Sequence, residues 1–164
     1  MRPRSIAPIL PLAAAMLLAA CGPLPPRESP APPQRPSSAP PRPAPAGGWP
    51  RTPAEASGPA VLALLDQAAA QPAAQAEATL ERALRIEPRN PFVWQALAGV
   101  RLQQGMADDA ETAAQKSTQL AGGNPWVESG NWRAIAAARR ARGDEPGAQE
   151  AEQRASVLQE QLGQ

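Results

Sequence analysis

Between residues 88 and 148 one pattern is written twice. Trp94-x2-Leu97-Ala98 returns as Trp132-x2-Ile135-Ala136, Gly105 returns as Gly143, and Ala110 returns as Ala148, each 38 residues further on. That offset reads as a period of 34 plus a four-residue insertion near "PWVES". Each copy spells helix, turn, helix. Glu87-Pro88-Arg89-Asn90-Pro91 breaks the chain, and Pro91 suits a first helical turn, where its missing N–H is no loss. Val93, Trp94, Leu97, Val100 and Leu102 then form an apolar stripe of helical period. Gly105 ends that helix, and Asp108-Asp109 favour the positive start of the next. In the second helix Ala110, Ala113, Ala114 and Leu120 line the packed side. Two helices joined by so short a turn must pack antiparallel.

A third copy precedes these two. "AEATLERALRIEPRN" supplies its second helix through Ala76, Leu80, Ala83 and Pro88, while Ala60 stands where the later copies have Trp. A 34-residue helix-turn-helix period with W-x2-L-A, a turn glycine, a later alanine and a closing proline resembles the tetratricopeptide repeat. The resemblance runs from about residue 59 to residue 160. It implies an all-α domain of about three helical hairpins in a short solenoid, near the minimum for stacked repeats to bury a continuous core. Trp94, Leu97, Ala110, Trp132, Ile135 and Ala148 are its expected structural core, with the two tryptophans as buried anchors. The family's usual aromatic late in the first helix is replaced by Arg101 and Arg139, and the one in the second helix by Leu80, Ala114 or Glu152. The core should therefore be thin.

The first sixty residues are of another texture. Arg2 and Arg4 precede an apolar stretch over residues 6–20, too short and too interrupted by Pro8 and Pro11 for a comfortable membrane span. This is the layout of a secretory signal, and Leu18-Ala19-Ala20-Cys21 resembles the bacterial lipobox. The expected domains are a signal peptide over 1–20, an acylated Cys21 opening a linker to residue 58, and a repeat domain over 59–164. Cys21 is the single cysteine, so no disulfide can form within the chain. Several acyl chains there, palmitate among them, would anchor firmly at roughly 0.8 kcal/mol per buried CH₂. In Gram-negative lipoproteins an Asp after the cysteine commonly retains the protein at the inner membrane. Gly22 in that place favours the outer one.

Residues 22–58 hold 13 prolines and almost nothing bulky to bury. Such a chain stays disordered and extended, at about 3.1 Å per residue, and reaches on the order of 100 Å. A proline-rich recognition motif is the competing reading, since "PAPPQRP" has the PxxP spacing. Trp49 in "GGWPR" either tacks the linker's end onto the domain or stands exposed.

Charge and composition exclude several classes. From Pro59 onward there are 10 basic and 13 acidic residues, which is no nucleic-acid footprint. The chain contains neither His nor Tyr, so Ser-His and Cys-His pairs are impossible. Asp108-Asp109 and Asp144-Glu145 begin second helices, where capping explains them. The expectation is a binding protein without catalytic residues, metal, cofactor or small-molecule substrate. Carried over from the repeat family, partner contacts would lie on the concave face of the first helices: Phe92, Gln95, Gly99, Leu102 and Gln103, then Arg133, Ala137 and Arg140. Phe92 has a rival role as a staple on its own helix. The cluster Arg139, Arg140 and Arg142 reads either as a solvated helix end or as a seat for an acidic partner. Trp126, placed in the insertion as a loop residue, is either an interface anchor or tucked into the repeat junction.

Anchor, linker and repeats together resemble the LpoP-type lipoproteins, tetratricopeptide activators of bifunctional penicillin-binding proteins. "ALRIEPRNP", "RLQQG" and "NWRAIAAARRARGD" carry that resemblance. It implies a lipid-anchored protein on the periplasmic face of the outer membrane, whose partner is a class A penicillin-binding protein. A repeat scaffold for outer-membrane or pilus assembly is the alternative.

Overall fold

The computed structural model describes residues 45–46 and 48–163. The expected signal segment, Cys21 and most of the linker lie outside the described residues. Everything regular among these residues is helical: α1 (Pro53–Ala56), α2 (Pro59–Ala69), α3 (Ala73–Ile86), α4 (Pro91–Gln103), α5 (Ala107–Ala121), α6 (Pro125–Ala141) and α7 (Glu145–Leu162). The pairs α2/α3, α4/α5 and α6/α7 are three hairpins, stacked so that α4 packs on α3 and α6 packs on both α5 and α4. This is the all-α, three-hairpin architecture that the period implies.

Local chemistry sets the element ends. Pro59, Pro91 and Pro125 each open a first helix, where a fixed φ helps and no N–H is needed. Gly105 and Gly143 sit at φ 76° and 79°, a left-handed conformation that a Cβ would oppose. Both turns close identically. Met106 N–H donates to the Arg101 carbonyl at 2.8 Å and Asp144 N–H to the Arg139 carbonyl at 3.0 Å, each satisfying an orphan acceptor of the helix end.

Val61, Leu64, Leu65, Leu80, Val93, Leu97, Ala113, Ala114, Ile135 and Ala151 share one buried cluster. Its alanines let the helices approach closely, and its larger members are aliphatic. Ala110 and Ala148 are fully buried where α5 and α7 begin. Trp94 and Trp132 differ from expectation: both are half-buried at the edge of this cluster. Each indole keeps one side for another duty. Trp94 Nε1 donates to the Pro88 carbonyl at 2.9 Å, and the Arg154 guanidinium lies over the Trp132 ring, 4.6 Å from its centroid. Leu97 and Ile135 are the buried members of each motif. Leu120 is also only half-buried, and Ala121 takes the covered place.

The first unit needs a shift of one residue. Ala60 is exposed, whereas Val61, Leu64 and Leu65 are buried. The counterpart of Trp94-x2-Leu97-Ala98 is therefore Val61-x2-Leu64-Leu65, with valine in the tryptophan's place.

The insertion is no loop. Asn90-Pro91 and Asn124-Pro125 are 34 residues apart although the two tryptophan motifs are 38 apart, so the four added residues lie within α6. That helix has 17 residues against 13 in α4. Four residues advance a helix by about 400°, which adds one turn and leaves the buried face within about 40° of where it was.

Candidate functional site

The arginines that replace the family's aromatic build a repeated polar joint between units. Arg101 Nε pairs with Glu77 of α3 at 3.4 Å, and Gln104 Nε2 donates to the other Glu77 oxygen at 3.1 Å. One unit on, Arg139 pairs with Glu111 of α5 at 2.9 Å, and Arg142 holds its second oxygen. Glu77 and Glu111 are 34 residues apart, and both donors shift by 38. Glu111 is 8% exposed, so its charge is tolerated only because two guanidiniums meet it.

The arginine cluster is consequently occupied within the molecule. Arg142 also pairs with Asp108, and hydrogen bonds to Asp108 and then to Glu111 hold its pKa above the ordinary guanidinium value. Arg140, an expected contact residue, pairs with Glu152 at 2.7 Å and with Glu145 at 3.6 Å. Its hydrogen bond to Glu152 is the main cause of its raised pKa. Asp144 caps α7 through the Gly147 N–H at 3.0 Å, whereas Asp108 makes no cap and serves Arg142 instead.

A second joint takes two further expected contact residues. Phe92 is 6% exposed and packs with Ala121 and Val127. Gln95 donates through Nε2 to the Val127 carbonyl at 3.0 Å and to Asn131 Oδ1 at 3.1 Å. Asn131, fully buried, donates in turn to Ser117 Oγ at 2.8 Å, and Ser117 donates to the Pro91 carbonyl at 2.7 Å. Gly130 makes room, since a Cβ there would stand 2.5 Å from Gln95 Nε2. Phe92 thus belongs to the α4–α6 junction and is covered, while Gln95 is half-buried with its amide spent on α6. What the first helices still offer to solvent is Gln103 and Arg133, exposed, with Leu102, Gly99 and Ala137 half-buried.

Trp126 lies in the first turn of α6 and is 36% exposed. Arg51 lies over its ring, 5.3 Å from the centroid. Beside it Asn124 Nδ2 donates to the Pro50 carbonyl at 2.8 Å. The segment "WPR" is therefore laid on the start of α6, and Trp49 is half-buried. Just after Trp126, Glu128 is half-buried, and desolvation raises its pKa against a lowering hydrogen bond from the Gly123 backbone.

Asn131, Ser117, Asn124 and Glu111 were absent from the sequence reading. The repeated Asn-Pro and the Glu77/Glu111 pair at one period were signals for two of them. Asn131 and Ser117 have no counterpart to flag them.

The helical arrangement can be set beside a solved structure. The globular C-terminal domain of LpoP from P. aeruginosa matches with a TM-score of 0.59 and 43% sequence identity, over 61% of this chain and 98% of that one. The chain belongs to the LpoP family. No family model matches it, and no curated protein does. The LpoP domain is covered almost whole, so its fold is represented here by the repeat domain, and the remaining 39% of this chain is left for other segments. No helix among the described residues is long and apolar enough to cross a membrane.

Proposed function

We propose that this protein is a periplasmic lipoprotein, anchored in the outer membrane by acyl chains on Cys21. Its repeat domain binds a bifunctional, class A penicillin-binding protein and raises that enzyme's activity. The observation that carries the reading is the near-complete correspondence with the LpoP domain at 43% identity. It stands in one chain with a lipobox-like Leu18-Ala19-Ala20-Cys21 and a proline-rich linker. The division of labour follows physically. Acyl chains fix one end, an extended linker spans the gap to a synthase in the opposite membrane, and the domain presents a rigid surface.

That surface is proposed to be the solvent-facing side of α4 and α6, with Leu102, Gln103 and Arg133 as contacts around Gly99 and Ala137. The small residues leave open space, and a Cβ added at Gly99 would meet nothing within 4 Å. The domain works by binding and carries out no catalysis itself.

The test is to add residues 45–164 to purified class A synthases of the source organism and follow glycan polymerisation. Acceleration of at least one synthase is expected, and no change with any of them overturns the reading. In cells, deleting residues 23–43 should abolish function while the domain stays folded. An assembly scaffold working beside its own membrane would tolerate that deletion.

A further inference from the structure

Asn90 and Asn124 occupy the same place in successive units and do the same two things. Each accepts through Oδ1 from the backbone N–H of the second residue of its own helix, Phe92 N and Trp126 N, both at 3.0 Å. Each then has an amide NH₂ left over, and both point at the same stretch of chain. Asn90 Nδ2 donates to Ser57 Oγ at 2.8 Å and Asn124 Nδ2 to the Pro50 carbonyl at 2.8 Å. Both asparagines are buried, at 6% and 2% exposure. An unpartnered amide at the depth of Asn124 would be costly, so Pro50 completes it, while Ser57 takes the Asn90 proton that Glu87 does not.

Further contacts reinforce each point. At the first, Glu87 accepts from Gly58 N–H at 2.9 Å and from Asn90 Nδ2 at 2.6 Å. At the second, Arg51 lies over Trp126, and its own N–H is taken by Glu55 of α1 at 2.6 Å. Residues 49–58 therefore run across the starts of α4 and α6, from the third unit back to the first.

We propose that Asn90 and Asn124 form a two-point docking site for the chain's own segment 49–58, with Trp126 as the platform for Arg51. The linker is then rooted at the start of α6 in the last unit, although the chain continues into α2 of the first. Trp126 is then engaged in cis by the Pro50-Arg51 peptide. The contacts stand whether or not the partner is a synthase.

Trypsin tests this directly, because cleavage after Arg51 requires the segment to lift away. In the full chain in detergent, cutting after Arg51 should be at least tenfold slower than in a free peptide of residues 45–58. Equal rates overturn the proposal without any variant. Asn124→Asp keeps the Oδ1 cap and sets a carboxylate oxygen, an acceptor, against the Pro50 carbonyl in place of the donor. It should speed cutting roughly three- to tenfold, as the loss of about one hydrogen bond does, with helix content unchanged. Ser57→Ala should give a smaller acceleration. A folded Asn124→Asp protein cut no faster than the parent would also overturn the proposal.

Discussion

Glu111 shows most clearly how single residues hold this domain. Two guanidiniums, one from α6 and one from its C-cap residue, meet one nearly covered carboxylate of α5. Glu111→Ala leaves Arg139 and Arg142 without that partner and should cost about 1–3 kcal/mol, between the surface and fully buried cases. Chemical denaturation against the parent measures it. Glu111→Gln should recover part of the loss by keeping one acceptor. Glu128 acts in the opposite sense. Burial raises its folded pKa, so the native state holds its proton more tightly than the unfolded chain. Stability from this group is then greatest below the unfolded carboxylate value of about 4.3 and falls as pH rises toward the folded value. Glu128→Gln should raise the melting temperature slightly at neutral pH, and the gain should vanish near pH 4. Trp94→Ala, with the indole half-covered, should cost about 2–4 kcal/mol, at or below the full large-to-small range.

At the scale of the helices, buried polar side chains fix the angle and spacing of the α4–α6 junction. Asn131→Ala would remove one of the two acceptors of Gln95 Nε2 and the donor to Ser117 Oγ, and would leave a gap at a fully buried position. A loss of about 2–3 kcal/mol follows from the hydrogen bonds and buried volume removed, measurable by thermal melting with the isolated domain. Such joints are where the sequence misleads. The stripe Val93, Leu97 and the turns at Gly105 and Gly143 were readable, because apolar period and φ-demanding glycine are local signals. Gln95 is polar and one residue from the stripe, so pattern alone places it in solvent. Its burial depends on Gly130 and Asn131, 35 and 36 residues away. The extra turn of α6 was read as a loop for a related reason. Proline and serine in "PWVES" look like punctuation, yet proline at a helix start and serine inside one are both compatible with helix. The arginine cluster looked free because its acids sit on α5 and α7, at separations that no motif encodes.

For the whole molecule, three thin units are held by two polar joints and by a segment laid across their starts. A domain cut at residue 59 loses Ser57, one of the two acceptors of Asn90, and Pro50, the acceptor of Asn124, so it should melt below one beginning at residue 45. The central claim concerns the side of α4 and α6 left open once Phe92 and Gln95 are withdrawn. Its sharpest test is glycan polymerisation by the class A synthase titrated with residues 45–164, parent against Leu102→Asp/Arg133→Glu. The account predicts that the variant melts like the parent and needs about tenfold more protein for half-maximal activation, a shift typical of an interface hot spot. A variant that folds and activates like the parent would contradict it.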